Sequence, residues 1–269
     1  MAKIRMELEA EGIPFDCEGN RIRCFPHVIN LAVKAGVKAT AYDIQFADDD
    51  AAMIEMDIDP ELSSADYMTA LKTIIDRCRQ LVIALRASGQ RREEFENLIR
   101  RVNDAGGWAA EGGEKIKIRV VGLLRDVDTR WSSLFLMLKR LLELYLKDKL
   151  QQHALAKADF PVLMDIIEFL EHHHDVQQEV SAQKTPTLSV VLPLYAELIE
   201  TLEAYKQQPG LKRIAHVYQA SIDKLNEYLD KARTNRVYAL AMVFRLSRPP
   251  QRACAALLQG SEKFNINHV

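Results

Sequence analysis

The chain has 269 residues, 48% of them hydrophobic, and carries 36 Lys and Arg against 38 Asp and Glu for a net charge of −2, a composition that can bury a sizeable core in one or two domains. No apolar run approaches the roughly 18 to 20 residues of a membrane span, and Met1-Ala2-Lys3-Ile4-Arg5-Met6-Glu7 lacks the apolar stretch of a secretory signal, so the expectation is an intracellular protein with no membrane partner. Cys17, Cys24, Cys78 and Cys254 are scattered without a CxxC pair, which argues against a disulfide framework or a zinc finger.

Arg21-Ile22-Arg23-Cys24-Phe25 alternates charged and apolar residues after the turn chemistry of Glu18-Gly19-Asn20, as a strand with one wet face does. Cys24-x-x-His27 has metal-ligand spacing, but a tetrahedral site needs further ligands and no matching pair lies nearby. The plain reading is a small buried thiol ending the strand, with His27 capping a helix that starts after Pro26. From Asp43 to Asp66 the acids 43, 48, 49, 50, 55, 57, 59, 61 and 66 meet no Lys or Arg, which predicts a solvated acidic loop. Tyr67, Leu71, Ile74, Ile75, Cys78, Leu81, Val82 and Leu85 then fall on one helix face, with Ser63-Ser64-Ala65-Asp66 as the start and Gly89 as the stop. Ala105-Gly106-Gly107 and Gly112-Gly113 predict a loop, with Trp108 as its hydrophobic plug, before a second alternating strand, Lys115 to Val121.

Arg125-Asp126-Val127-Asp128-Thr129-Arg130-Trp131-Ser132-Ser133 leads into a strongly apolar helix through Leu134, Leu138, Leu141, Leu142 and Tyr145, with Asp128 or Ser132 available to cap it. Residues 115–149 carry nine Lys and Arg against four Asp and Glu, a balance that permits phosphate binding. An exposed indole beside an Arg can stack on an unpaired base, a contact worth about 1–3 kcal/mol, whereas most tryptophans at a helix start anchor a core. His172-His173-His174 invites a metal reading, but consecutive helical residues point about 100° apart and cannot all face one ion; a solvated helix end is expected there. Leu188 to Leu202 and Ile214 to Leu229 repeat the helical stripe, and Pro193 should bend the first of these. The sequence holds no HExxH, GxxxxGK[ST], GxSxG or GxGxxG.

Taken together, Cys24-x-x-His27, Arg130-Trp131-x-Ser133 with Met137-Leu138-Lys139-Arg140, Asp159-Phe160-Pro161-Val162-Leu163, Ser181 to Leu188 and Tyr238-Ala239-Leu240-Ala241-Met242 resemble, in order, the hAT superfamily of DNA transposases, most closely fungal members. In that family the Arg-Trp-x-Ser segment opens a helical insertion domain inside an RNase H-like fold, and its Trp helps to stabilise the flipped base and hairpin at the cut DNA. The Cys-x-x-His pair supports the active-site region. The resemblance implies a mainly α-helical chain: a partial RNase H-like core of few strands over 1–40, an acidic loop over 41–62, the insertion domain and return helices over 63–243, and a divergent tail over 244–269. It implies DNA contact, non-specific or to hairpin and single-stranded forms, at Arg130 and Trp131, to which the basic balance of residues 115–149 adds Lys115, Lys117, Arg119 and Arg125. Cys24 and His27 are a structural motif, and association with related transposase chains and a nuclear location are implied as well.

The departures shape the expected function. Family members hold Mg²⁺ or Mn²⁺ with two Asp and one Glu that activate the attacking oxygen. The first Asp and the strand ending in Asp-Asn-Ala-Ser are expected upstream of the Cys-x-x-His segment and the Glu far downstream, and neither is found in the sequence; Asp126, Asp128 and Glu143 match no catalytic position. The BED-type zinc finger is also missing from it. The expectation is therefore a catalytically inactive, transposon-derived protein with no cofactor and residual non-specific DNA binding, or alternatively a helical protein-interaction module or decayed gene product without DNA binding. A buried Trp131 favours the alternative; an exposed one inside a basic groove favours DNA.

Overall fold

Pro26, in the first turn of its helix where a missing N–H costs no intrahelical bond, starts the element around which the others gather. The computed structural model describes residues 2–16, 21–42, 64–106, 108–109, 115–117, 120, 122–127, 131–145, 155, 159–182 and 187–246. Along them run α1 (Ala2–Ala10), α2 (Phe25–Ala39), α3 (Ser64–Leu85), α4 (Gly89–Asp104), α5 (Trp131–Tyr145), α6 (Asp159–Ala182), α7 (Val191–Lys206), α8 (Ala215–Arg233) and α9 (Arg236–Leu246). The protein is mainly helical, as expected.

Helix α2 buries Phe25, Val28, Ile29, Ala32, Val33, Gly36 and Ala39, and that stripe lies along the Val217, Tyr218, Ser221, Ile222, Leu225 and Leu229 face of α8. The two run antiparallel: Asn235, just past α8, donates to the Arg21 carbonyl ahead of α2, and Gly36 near the other end of α2 lies against the Val217 carbonyl. A Cβ on Gly36 would stand 2.3 Å from Phe169 Cζ of α6 and 3.1 Å from Val217 O, so the missing side chain is what lets three helices meet there.

Helix α6 is enclosed by α2, α3, α5 and α7. Val162, Leu163, Ile166, Phe169, Leu170 and His173, each at most 2% exposed, lie along one broad face, about a third of the helix circumference at roughly 100° per residue, while Met164 and Asp175 on the far side are exposed. An ion pair and a hydrogen bond to its buried carboxylates dock α3 onto it. Arg77 holds Asp159 with two bonds of 2.6 Å, while Tyr67 donates to Asp165. Arg213, in the 3-10 turn Pro209–Ile214, takes both oxygens of Asp165 at 2.6 and 2.9 Å. Each buried carboxylate is thereby compensated, without which its desolvation would cost several kcal/mol. Burial and the Asp165 carboxylate together push the Tyr67 hydroxyl well above the ordinary phenol range.

Several expectations are corrected. Residues 21–24 form no strand: the Arg21 and Arg23 carbonyls accept from Asn235 Nδ2 and Tyr238 Oη, both at 3.1 Å, so side chains meet the bonds that a ladder would have made, and Phe25 already belongs to α2. The second strand shrinks to Lys115–Ile116, paired antiparallel with Trp108–Ala109 as the one sheet among the described residues. Gly89 stops nothing; it is the first residue of α4, whose cap is Ser88 accepting the Arg91 N–H. Pro193 does not bend a helix, because Leu188–Val190 is a 3-10 turn and α7 begins at Val191, which leaves Pro193 in the first turn. The acidic stretch from Asp43 to Ser63, the Trp108 side chain and the tail from 247 lie outside the described residues.

Candidate functional site

Trp131 is the first residue of α5 and is 5% exposed. Its indole meets His173 and His174 of α6 edge-on, with centroids 6.2 Å from each, so of the two readings the sequence leaves open, exposed stacking surface or core anchor, the burial agrees with the core anchor. The approach to α5 is fastened separately. Ser133 donates its hydroxyl to Asp126 at 2.9 Å and accepts the Val127 N–H at 2.8 Å, and Asp126, 6% exposed, also accepts from Arg79 of α3 at 2.7 Å. Asp128, one of the expected caps, lies outside the described residues.

The three histidines occupy three sides of α6 rather than a solvated end, since the helix continues to Ala182. His173 is fully buried. Its Nδ1 stands 2.8 Å from the Phe169 carbonyl, which can only accept, so Nδ1 carries the proton and Nε2 accepts the Ser221 hydroxyl at 2.8 Å. His172 packs on Tyr205 at 4.0 Å and His174 on Phe135 at 4.6 Å. Desolvation pulls His172 and His173 down to about 4 and lowers His174 as well, so these rings are neutral packing groups at neutral pH.

Of the cations expected at DNA, Lys117 and Arg125 are exposed; the Lys115 side chain, Arg119 and Arg130 lie outside the described residues. Cys24 and His27 are exposed rather than buried, and Cys24 caps α2 with no side-chain hydrogen bond. They border an open polar cleft of about 530 Å³ that Arg21, Arg23, Tyr228 and Lys231 also line. The Arg-x-Arg of this cleft was readable in the sequence, but as one face of a strand; its companions Tyr228 and Lys231 lie some two hundred residues away and carried no local signal. Among the described residues no group of three or more His, Cys, Asp and Glu is placed to hold a metal ion, and no helix is long and apolar enough to cross a membrane. Three of the described carboxylates, Asp126, Asp159 and Asp165, each accept from an arginine.

A family model described as the ZBED1 RNase-like helical domain matches residues 22–160. No curated protein and no solved structure matches the chain.

Proposed function

The chain belongs to the family of ZBED1 RNase-like helical domains, and from that premise we propose that it acts as a non-catalytic helical module descended from an hAT-type transposase. The engagement of the buried carboxylates carries this reading. Phosphoryl transfer by two metals needs carboxylates turned toward an open site, whereas Asp126, Asp159 and Asp165 are committed to Arg79, Arg77 and Arg213. Such a module works in the nucleus without Mg²⁺ or Mn²⁺. Incubation of the purified chain with a hairpin-ended duplex in Mg²⁺ or Mn²⁺ is expected to leave the strands whole; nicking that depends on the metal and copurifies with the chain overturns the proposal.

Exposure of Lys117 and Arg125 favours a second reading, residual DNA contact along 115–131. With Trp131 enclosed, such contact rests on phosphates alone, so it ignores sequence and falls steeply with salt. Quenching of Trp131 fluorescence by single-stranded DNA would contradict it.

A further inference from the structure

Helix α9 has two unlike faces. Tyr238, 2% exposed, turns inward and donates its hydroxyl to the Arg23 carbonyl, and the helix packs on the 3-10 turn Leu188–Val190 and on α8. On the other side Leu240, Val243 and Phe244 stand 54, 59 and 69% exposed. Steps of three and four residues lay them along one stripe, and the helix, Arg236–Leu246, contains no Asp or Glu. The solvated face of a helix is ordinarily written in polar and charged residues. A leucine, a valine and a phenylalanine grouped there mark a contact surface instead.

The sequence supplies a matching stripe just downstream. Ala253, Cys254, Leu257 and Leu258 recur at the same steps within a stretch made of Ala, Leu, Gln, Arg and one Cys, mostly residues of high helix propensity. Pro249-Pro250 stands ahead of it and Gly260 behind, the proline and glycine that bracket a helix. The turn left between this stretch and α9, Ser247 to Pro250, has the length usual between antiparallel helix neighbours. Folded back about that turn, the two stripes coincide: Val243 lies three residues before Leu246 and Cys254 three after Gln251, while Leu240 lies six before and Leu257 six after. So short a tether gives the segment an effective concentration on the order of millimolar at this face, which favours it over a second copy of the chain.

We propose that the Leu240, Val243 and Phe244 face of α9 is the seat of the chain's own residues 251–259, docked as the second arm of an antiparallel helical hairpin that closes this face to other proteins. The contact uses none of the groups on which the non-catalytic reading rests, so either can fail alone.

The test is disulfide trapping in the full chain. Cys17→Ser/Cys24→Ser leaves Cys254 and the buried Cys78, and to this background either Val243→Cys or Arg236→Cys is added. Arg236 is exposed and lies two turns before Val243 on the same side of α9, about 10 Å away. After brief oxidation with diamide, intact mass should show the Val243→Cys chain linked to Cys254 within itself at least tenfold faster than the Arg236→Cys chain. For a tail without a seat, separations of 11 and 18 residues change the closure rate by only about twofold. Adding Leu257→Asp/Leu258→Asp should remove the preference and raise binding of an apolar-surface dye. Linking rates within about threefold of each other, no linking at all, or a link between two chains, which would seat a second copy on this face, overturns the proposal.

Discussion

Gly36→Ala is the sharpest probe of how the helices meet. The added methyl would stand 2.3 and 2.9 Å from Phe169 Cζ and Cε1 and 3.1 Å from the Val217 carbonyl, against ordinary contacts near 3.5–4.0 Å. Phe169 cannot swing aside: it is 1% exposed and wedged between His173, 4.8 Å away, and Tyr218, 5.3 Å away. Overpacking of this kind costs about 1–3 kcal/mol, and replacing Gly by Ala inside a helix returns about 1 kcal/mol. We expect a net loss of about 1 kcal/mol, up to about 2, which at about 2–4 °C per kcal/mol for a chain of this size lowers Tm by about 2–8 °C. Thermal melts followed by circular dichroism measure it. Phe169→Leu shortens the ring that the methyl strikes, so the double variant should lose less than the sum of the two singles by at least about 0.5 kcal/mol. A Gly36→Ala chain that melts at or above the wild type, or strict additivity in the double variant, refutes the close-approach argument.

The buried imidazoles make stability fall in acid. His172 and His173 titrate near 4 in the folded chain and near 6.5 when unfolded, so between those values the unfolded state binds more protons and stability drops as pH falls from about 6.5 toward 4, by about 3 kcal/mol for His173; urea midpoints across that window should show the decline, and His173→Gln should flatten it. Asp165→Asn leaves Arg213 without its charge partner and is expected to cost about 3–5 kcal/mol, whereas Asp165→Leu/Arg213→Met should recover much of that in denaturant titrations; equal losses in both would show that the pair is not the cause. Trp131→Ala should cost about 3–5 kcal/mol of stability as an emptied core position, and a near-neutral melt would mean that the indole is not enclosed. Ser133→Ala strands the Val127 N–H and one Asp126 bond, for an expected loss of about 1 kcal/mol measured the same way.

What the sequence disclosed was what depends on near neighbours. The stripes from Tyr67 to Leu85 and from Ile214 to Leu229 appear where expected, because apolar spacing at 3.6 residues is written locally and packing agreed with it. Helix α4 shows no such stripe: Phe95 and Ile99 are buried, and the exposed Arg and Glu around them dilute the pattern. Residues 21–24 alternate as a strand does, yet their bonding partners are side chains at 235 and 238, which no local pattern reveals. The same holds for His173, which is a core residue only because Ser221 arrives from another helix, and for Trp131, whose burial depends on α6. Of the candidate site, Arg-x-Arg and Cys-x-x-His were visible as motifs; the cleft they border was not, because α8 supplies its far wall.

The bond from Asn235 to Arg21 spans 214 residues of chain, and this sets an order on folding during synthesis. At about 5–20 residues per second, α2 leaves the ribosome about 10 to 40 s before the residue that fastens its leading segment has been made. Its main partner, α8, arrives almost as late. For that interval Phe25, Val28, Ile29 and Val33 lack the cover that α8 provides, so the nascent chain carries an adhesive apolar helix until α8 has been made. Chains shortened before residue 215, which lack α8, should accordingly be held by chaperones or aggregate rather than fold to a smaller version of the same structure.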